Sequence, residues 1–357
     1  MSGFQQQFEA QTAAVRVRFA PGVRHELAEE VERLGCSRAL VLSTQPQEHS
    51  AQQIAQALGA LSVGVYPHAV MHTPVDVTRD ALAHVKTVGA DCLVAVGGGS
   101  TTGLGKAIAY QTDLAQIVIP TTYAGSEATA ILGQTENGRK TTVTDPAIQP
   151  EVILYDAELV TSLPLGLSVT SALNAMAHAA EALYAKNRNP VSTLLATEGL
   201  RAFADAMPRL IKDTSDIDAR GESLYGAWLC GTVLGQVGMA LHHKLCHTLG
   251  GSFDLPHAET HSVILPHALA FNARAVPQLL EPVGEIFGAS NPGVAVHAFA
   301  SMMNAPMSLA ELGLAEADLD RAAELATEKP YWNPQPVERD SIRALLQAAW
   351  SGDAPSI

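Results

Sequence analysis

Five polar residues in the second half of the chain could do chemistry together. Asn174 and His178 are four residues apart, His243 and His247 are also four apart, and His257 follows in a Leu-Pro-His segment. A spacing of four places both members of a pair on one face of a helix, about one turn apart. Three histidines and one oxygen-bearing side chain could surround a divalent metal. The oxygen here belongs to an amide, however, which is a weak neutral ligand and cannot offset the charge of the ion.

Packing is the competing explanation for these histidines. A lone histidine on an alanine-rich helix is more often a hydrogen-bonded core residue than a catalyst. Several more histidines crowd the same stretch, and His242, His261 and His267 are the first to set aside as bystanders. Five aligned positions on three segments are harder to explain by packing alone.

Two small-residue segments follow predicted strands in the first half. Gly97–Lys106 joins the strand Cys92–Val96 to a helix, and its glycines would let a phosphate approach the backbone at a helix N-terminus. It fits neither the P-loop nor the G-x-G-x-x-G pattern, so a tight structural turn is the alternative. Pro120–Glu127 follows the next strand. Two such loops at neighbouring strand ends favour a dinucleotide site.

The elements that must position these residues change in type along the chain. Residues 1–157 alternate short apolar strands with helices, which predicts an α/β domain with a Rossmann-like parallel sheet. Within it, Asn137-Gly138 predicts a hairpin turn that projects Arg139 and Lys140. Residues 158–357 are rich in Ala and Leu and predict an all-helical domain. Its first helix would be capped by Ser168 or Thr170 and run through Tyr184.

Composition excludes several classes of protein. The 357 residues are 47% hydrophobic and 16% charged, which is typical of a compact globular enzyme. A net charge of −14 argues against nucleic acid as a partner. The absence of a long apolar stretch predicts no membrane span. Four scattered cysteines without a C-x-x-C pair fit a reducing cytoplasm.

The order of the motifs resembles the iron-containing alcohol dehydrogenase family. GGGS, PTT-x-AGSE, Asn174-x-x-x-His178-x-x-Glu181, His243-x-x-x-His247-x-Leu-Gly and Pro256-His257 occur in that family's sequence order. The resemblance implies the fold that this family shares with dehydroquinate synthase: a dinucleotide-binding α/β domain followed by a helical catalytic domain. Members that hold a metal use one Asp and three His, which would fall on Asn174, His178, His243 and His257.

The chain departs from the metal-binding members at three places. Asn174 replaces the aspartate ligand, Gly103 replaces an aspartate after GGGS, and Ser43-Thr44 replaces an acidic residue after the first strand. Without that last carboxylate a 2′-phosphate is not repelled, so both NADH and NADPH could bind. These departures resemble a branch that uses NAD(P)H and no bound metal to reduce maleylacetate to 3-oxoadipate in bacterial breakdown of aromatic compounds.

The resemblance also implies roles for individual residues. Gly97, Gly98, Gly99 and Ser100 would hold the pyrophosphate; Thr121, Thr122 and Lys140 would contact the nicotinamide half; and Leu163 would line the adenine pocket. His243 and His247 would stabilise an oxyanion and donate a proton, while His178 and His257 would order the substrate or its water. Asn174, Lys244, Lys329 and Tyr331 would bind the dicarboxylate substrate, although a Lys near Pro and an aromatic residue often only covers a surface. The family resemblance implies a homodimer.

Three other functions remain open on the sequence. The nearest is a metal-dependent NAD alcohol dehydrogenase in which Asn174 still acts as a weak ligand. A lyase of the dehydroquinate synthase type would need the acidic ligand that is missing. A sensor that kept the scaffold without catalysis would have no need for the proton donors His243 and His247.

Overall fold

The computed structural model describes residues 7–136 and 139–355. They form two compact units. The first comprises Thr12–Leu163 and Ser215–Leu224, and the second comprises residues 7–11, 164–214 and 225–355. The first unit therefore continues beyond residue 157, where the sequence suggested a boundary, and a short later segment returns to it.

The first unit contains a parallel sheet of six strands, which confirms the predicted α/β fold. Eight strands occur in the described part of the chain: β1 (Arg16–Phe19), β2 (Ala39–Leu42), β3 (Ser62–Tyr66), β4 (Cys92–Gly97), β5 (Ala115–Pro120), β6 (Ile131–Glu136), β7 (Arg139–Thr144) and β8 (Val152–Tyr155). The order across the sheet is β1-β8-β5-β4-β2-β3, and every neighbouring pair runs parallel. Strand β1 was not predicted.

Helices cover both faces of this sheet because its central strands are almost wholly apolar and are buried on both faces. The helices are α1 (Leu27–Arg33), α2 (Glu48–Leu58), α3 (Val75–Val88) and α4 (Gly99–Thr112). Successive strand residues point to opposite faces. Val41 and Val94 therefore join the core that includes Ile54 of α2. Leu40 and Leu93 join the other core, beneath α3 and α4.

The predicted hairpin is formed by β6 and β7, which pair antiparallel from Ile131 opposite Thr144 to Glu136 opposite Arg139. Its turn, Asn137-Gly138, lies outside the described residues. The side chains of Arg139 and Lys140 also lie outside them, so their predicted projection stays a prediction.

The second unit is helical, as predicted. Its helices are α5 (Leu165–Tyr184), α6 (Pro190–Lys212), α7 (Ile217–Gln236), α8 (Leu241–Phe253), α9 (His257–Ala273), α10 (Pro277–Phe287), α11 (Pro292–Met302), α12 (Leu319–Glu328) and α13 (Arg339–Ser351), of which α7 begins in the segment that belongs to the first unit. Leu245 and Leu249 of α8 pack with Ile264 of α9 and Leu346 of α13 in one buried core.

The start of α5 differs from the prediction. The helix begins at Leu165, directly after Pro164. Ser168 and Thr170 lie inside its first turns, where their hydroxyls donate to the carbonyl oxygens of Pro164 and Gly166, each at 3.1 Å. Neither residue caps the helix, because the hydroxyl of a helical Ser or Thr can be satisfied by the carbonyl four residues earlier.

Among the described residues no single helix is long and apolar enough to cross a membrane. Only α7 and α8 together reach the required length and composition, and a bend of 95° separates them. All four cysteines are free thiols, three of them buried.

Candidate active site

In the α/β unit the glycine-rich segment lies where the strand order reverses. From β2 the chain continues outward to β3, whereas from β4 it continues to the other side, to β5. Ligands of parallel sheets bind beyond the carboxyl ends of strands at such a point. Gly97 ends β4 and Gly99 is the first residue of α4. The structure therefore places Gly97, Gly98, Gly99 and Ser100 at a helix N-terminus, as a pyrophosphate site requires.

The second small-residue loop touches the first. A Cβ placed on Gly98 would lie 2.8 Å from Cγ2 of Thr122, closer than such atoms approach in proteins. Thr121 accepts a hydrogen bond of 2.8 Å from Nε2 of Gln47, in the segment after β2. Three strand ends thus meet at the predicted nucleotide site, and glycine at position 98 is what lets two of them approach.

The position where the family carries an aspartate has a steric explanation. A Cβ on Gly103 would lie 2.4 Å from Oγ1 of Thr73, which is buried. Thr73 itself lies in the left-handed region at φ 45°, which is unusual for a β-branched residue. The Thr73 side chain takes the space that a side chain at position 103 would need.

Lys106, to which the sequence analysis gave no role, anchors the second small-residue loop through hydrogen bonds. Its ammonium group is fully buried and donates to the carbonyl oxygens of Ser126, Thr129 and Ile131 and to Oγ1 of Thr129, at 2.5–3.0 Å. Burial lowers the pKa of Lys106 to about 7, whereas the carboxylate of Glu127 raises it. No sequence pattern identifies these contacts, because all the partners lie at least 20 residues further along the chain.

Leu163 is held by a buried arginine. Its carbonyl oxygen accepts from Nη2 of Arg220 at 3.0 Å, and Nη1 of the same guanidinium lies 3.2 Å from the hydroxyl of Tyr123. Arg220 belongs to the segment that returns to the α/β unit. It therefore ties the predicted adenine-binding residue to the loop that carries Thr121 and Thr122. Whether these residues contact a nucleotide stays a prediction, and the Lys140 side chain lies outside the described part.

In the helical unit, three helices bring the predicted polar residues together. Helix α5 carries Asn174 and His178, α8 carries His243 and His247, and α9 begins at His257. The rings of His178 and His243 are stacked with centroids 5.1 Å apart, and those of His243 and His247 are 6.0 Å apart. Burial, reinforced by the neighbouring imidazoles, holds the pKa of His178 well below its usual range.

Two histidines that the sequence analysis set aside belong to the same cluster. His261 lies 4.4 Å from His257 and 5.1 Å from His243, centroid to centroid, and its Nδ1 lies 2.8 Å from Nε2 of His242. With Cys246 these two buried side chains form a compact group, and burial raises the pKa of the Cys246 thiol well above its usual range. His267, by contrast, lies beside His297.

An aromatic hydroxyl and two lysines complete the predicted substrate residues. The hydroxyl of Tyr331 lies 2.9 Å from Nδ1 of the exposed His247. Partial burial lowers the pKa of Lys244, with Glu328 acting in the opposite direction and the ammonium of Lys329 in the same one. The structure thus brings Lys244 near Lys329, and His247 near Tyr331, although the members of the second pair are 84 residues apart in sequence.

The donor set at the family's metal position fits a divalent cation poorly. Three buried atoms there have no hydrogen-bond partner within the described part of the chain: Oδ1 of Asn174, Nδ1 of His178 and Nε2 of His243. Each is a neutral donor, and burial keeps His178 uncharged. An ion held by an amide and imidazoles would retain its full charge in a buried site, which is costly without a carboxylate.

A parallel sheet with a glycine-rich turn at its switch point, and a helical unit with a histidine cluster, are the two parts of a dehydrogenase of the iron-containing type. The iron-containing alcohol dehydrogenase model matches residues 14–157, and the C-terminal model of the Fe-containing alcohol dehydrogenase family matches residues 168–350. The chain belongs to the iron-containing alcohol dehydrogenase family and is an oxidoreductase of it.

Individual relatives are similar over nearly the whole chain. Maleylacetate reductase from Rhizobium sp. (strain MTP-10005) is 58% identical over 350 residues, which cover 98% of this chain and 99% of the relative. The crystal structure of maleylacetate reductase from Agrobacterium tumefaciens is also 58% identical, with a TM-score of 0.96 over 98% of this chain and 100% of that one. The iron-containing alcohol dehydrogenase from Corynebacterium glutamicum is 39% identical, with a TM-score of 0.93 over 99% of this chain and 98% of that one.

Proposed function

We propose that this enzyme reduces the carbon–carbon double bond of maleylacetate to give 3-oxoadipate, with hydride from NADH or NADPH and without a bound metal. The observation that carries the proposal is the 58% identity, over 98% of the chain, to an enzyme named maleylacetate reductase. The replacement of the acidic ligand by Asn174, in an otherwise complete set of histidines, supports the metal-free form of the reaction.

The chemistry of an enone explains why a Lewis acid could be dispensed with. Reduction of an isolated carbonyl puts full negative charge on one oxygen, which a metal can stabilise. In maleylacetate the hydride adds to the alkene carbon β to the ketone. The two electrons of the double bond then move to form an enolate, whose charge is shared between carbon and oxygen. Protonation of the α carbon gives 3-oxoadipate, and the nicotinamide leaves oxidised.

The histidine cluster can supply the two functions that remain. A hydrogen bond from an imidazole would stabilise the enolate oxygen, and a second group would deliver the proton to carbon. His243 and His247 on α8 are the candidates, and His178 and His257 would order the substrate or a water. Asn174, with Lys244, Lys329 and Tyr331, would hold the two substrate carboxylates.

The α/β unit would hold the coenzyme. Gly97–Ser100 would bind the pyrophosphate, Thr121, Thr122 and Lys140 the nicotinamide half, and Leu163 the adenine. Strand β2 ends at Leu42 and is followed by Ser43 and Thr44 instead of an acidic residue, which supports use of both coenzymes. We also propose that the enzyme is a homodimer and that it works in the cytoplasm. Analytical ultracentrifugation would test the homodimer.

A comparison of substrates tests the function. Purified enzyme is mixed with NADH or NADPH and with maleylacetate, a simple aldehyde or a saturated ketone, and coenzyme oxidation is followed by absorbance. We expect rapid oxidation with maleylacetate only, and one 3-oxoadipate per coenzyme oxidised. Preferred turnover of the aldehyde would favour the rival, a metal-dependent alcohol dehydrogenase in which Asn174 still ligates.

A further inference from the structure

A carboxylate without an assigned role connects the two central helices of the histidine cluster. Glu181 lies on α5, is fully buried, and accepts four hydrogen bonds. Oε2 accepts from the backbone N–H of Ala240 at 2.8 Å and lies 2.7 Å from Nδ1 of His243. Oε1 accepts from the backbone N–H of His242 at 2.8 Å and from the hydroxyl of Tyr184 at 3.3 Å.

These contacts make Glu181 the cap of α8. The helix begins at Leu241, and its N-cap residue, Ala240, has no side chain that could accept a hydrogen bond. The first N–H groups of a helix need acceptors from outside it. Glu181 supplies them from another helix, and its negative charge lies at the favourable end of the helix dipole.

The same contacts decide which nitrogen of His243 carries a hydrogen toward Glu181. A backbone N–H can only donate, so the N–H groups of Ala240 and His242 require both carboxylate oxygens to act as acceptors. Because Oε2 is an acceptor, Nδ1 of His243 must be the donor across the 2.7 Å contact. Nε2, which has no partner among the described residues, is then the nitrogen left for a bound molecule.

We propose that Glu181 is a positioning residue for the reduction: it anchors Nδ1 of His243, so that His243 exchanges a proton with the substrate through Nε2 alone. This inference rests on the proposed function. Holding an imidazole in one tautomer and one orientation is the service that a buried carboxylate performs for a histidine base in other enzymes.

Glu181→Gln tests the proposal with little change in shape. The new amide has one NH₂ group, which must oppose the N–H of either Ala240 or His242. If it opposes Ala240, Nδ1 of His243 must accept instead of donate, and the hydrogen moves to Nε2. In the other orientation Nδ1 of His243 donates to the neutral amide oxygen of the new side chain instead of to a carboxylate. Tyr184→Phe is the matched control, because it removes a contact to Oε1 and leaves the contact to His243 intact.

We expect kcat of Glu181→Gln to fall by about 100-fold or more, the size of a general acid–base contribution. KM for maleylacetate and the dissociation constant of NADH should stay unchanged, and Tyr184→Phe should keep the wild-type kcat. An unchanged kcat in Glu181→Gln, a rise in KM alone, or an equal loss of kcat in Tyr184→Phe would overturn the proposal.

A measurement on the unmodified enzyme covers the case in which Glu181→Gln does not fold. In protein labelled with ¹⁵N-histidine, the His243 resonances are assigned with His243→Gln. A protonated Nδ1 supports the proposal, and a bare Nδ1 with hydrogen on Nε2 contradicts it. Lack of maleylacetate turnover by the wild type would refute the proposed function instead, whereas the nitrogen spectrum reports on Glu181 and His243 directly.

Discussion

Replacing the buried ammonium of Lys106 with an apolar side chain should destabilise the α/β unit strongly. Lys106→Met removes the donor to three carbonyl oxygens and to Oγ1 of Thr129. The Ser126 carbonyl keeps the hydroxyl of Thr129 as a donor at 2.9 Å, so the carbonyls of Thr129 and Ile131 bear most of the loss.

The structure gives the size of this effect. An unsatisfied buried polar group costs about 1–3 kcal/mol, so two of them give about 2–6 kcal/mol. Glu127, also buried, loses the influence of a nearby positive charge, whereas removal of the ammonium also ends the cost of burying that charge, so these two effects oppose each other. We therefore expect Lys106→Met to lower the free energy of unfolding by about 2–6 kcal/mol.

Urea unfolding followed by circular dichroism measures this loss. Lys86→Met is the matched control, because Lys86 is exposed near the end of α3, and its replacement should change stability by less than about 0.5 kcal/mol. The NADH dissociation constant should rise in Lys106→Met, since the loop that carries Thr121 and Thr122 loses its anchor. A stability loss below about 1 kcal/mol would refute the view that the ammonium organises this loop.

Three further predictions concern single positions. Gly98→Ala should weaken NADH binding and lower the free energy of unfolding by about 1–3 kcal/mol, because its Cβ would lie 2.8 Å from Thr122. Gly166→Ala is the control and should be neutral or stabilising, because its Cβ meets nothing within 4 Å. Equal effects of the two variants in a binding titration would contradict the steric argument. Asn174→Asp should restore a charged ligand and raise the Zn²⁺ or Fe²⁺ content of the purified protein by elemental analysis, and a content equal to the wild type would count against the donor-set argument. Burial lowers the pKa of His267 to about 4, so the unfolded chain takes up this proton first as the pH falls below about 6.5, and stability is lost toward pH 4. The wild-type free energy of unfolding should therefore fall between about pH 7 and 5.5, and in His267→Gln this fall should be smaller by about 1 kcal/mol, as measured by urea titrations at each pH. An equal fall in both proteins would show that His267 titrates normally.

Much of the fold could be predicted because its central strands are buried on both faces. Cys92–Gly97 is fully buried, so its apolar run is continuous and ends visibly at the glycines. Arg16–Phe19 at the sheet edge has two exposed and two half-buried residues, and two of the four are arginines, so it gave no comparable signal. The start of α5 was misplaced because Ser168 and Thr170 are good caps in isolation, whereas Pro164 is the true boundary.

Part of the candidate site could also be predicted from the sequence, and part could not. The spacing of four within Asn174–His178 and His243–His247 reports on one helix, so sequence could place each pair correctly. Glu181 was visible three residues after His178, but its partners at positions 240–243 become neighbours only in the folded chain. Sequence could likewise not separate His261 from His267, because only packing places the first in the cluster and the second beside His297.

The most direct test of the central claim follows a deuterium atom. Enzyme freed of metal by chelation is given maleylacetate and NADH that carries deuterium on the transferable side of nicotinamide C4, and the product is examined by NMR. The account predicts rapid turnover and 3-oxoadipate with a single deuterium on the carbon β to the ketone. Deuterium on a carbinol carbon, or turnover only after Fe²⁺ or Zn²⁺ is restored, would contradict it.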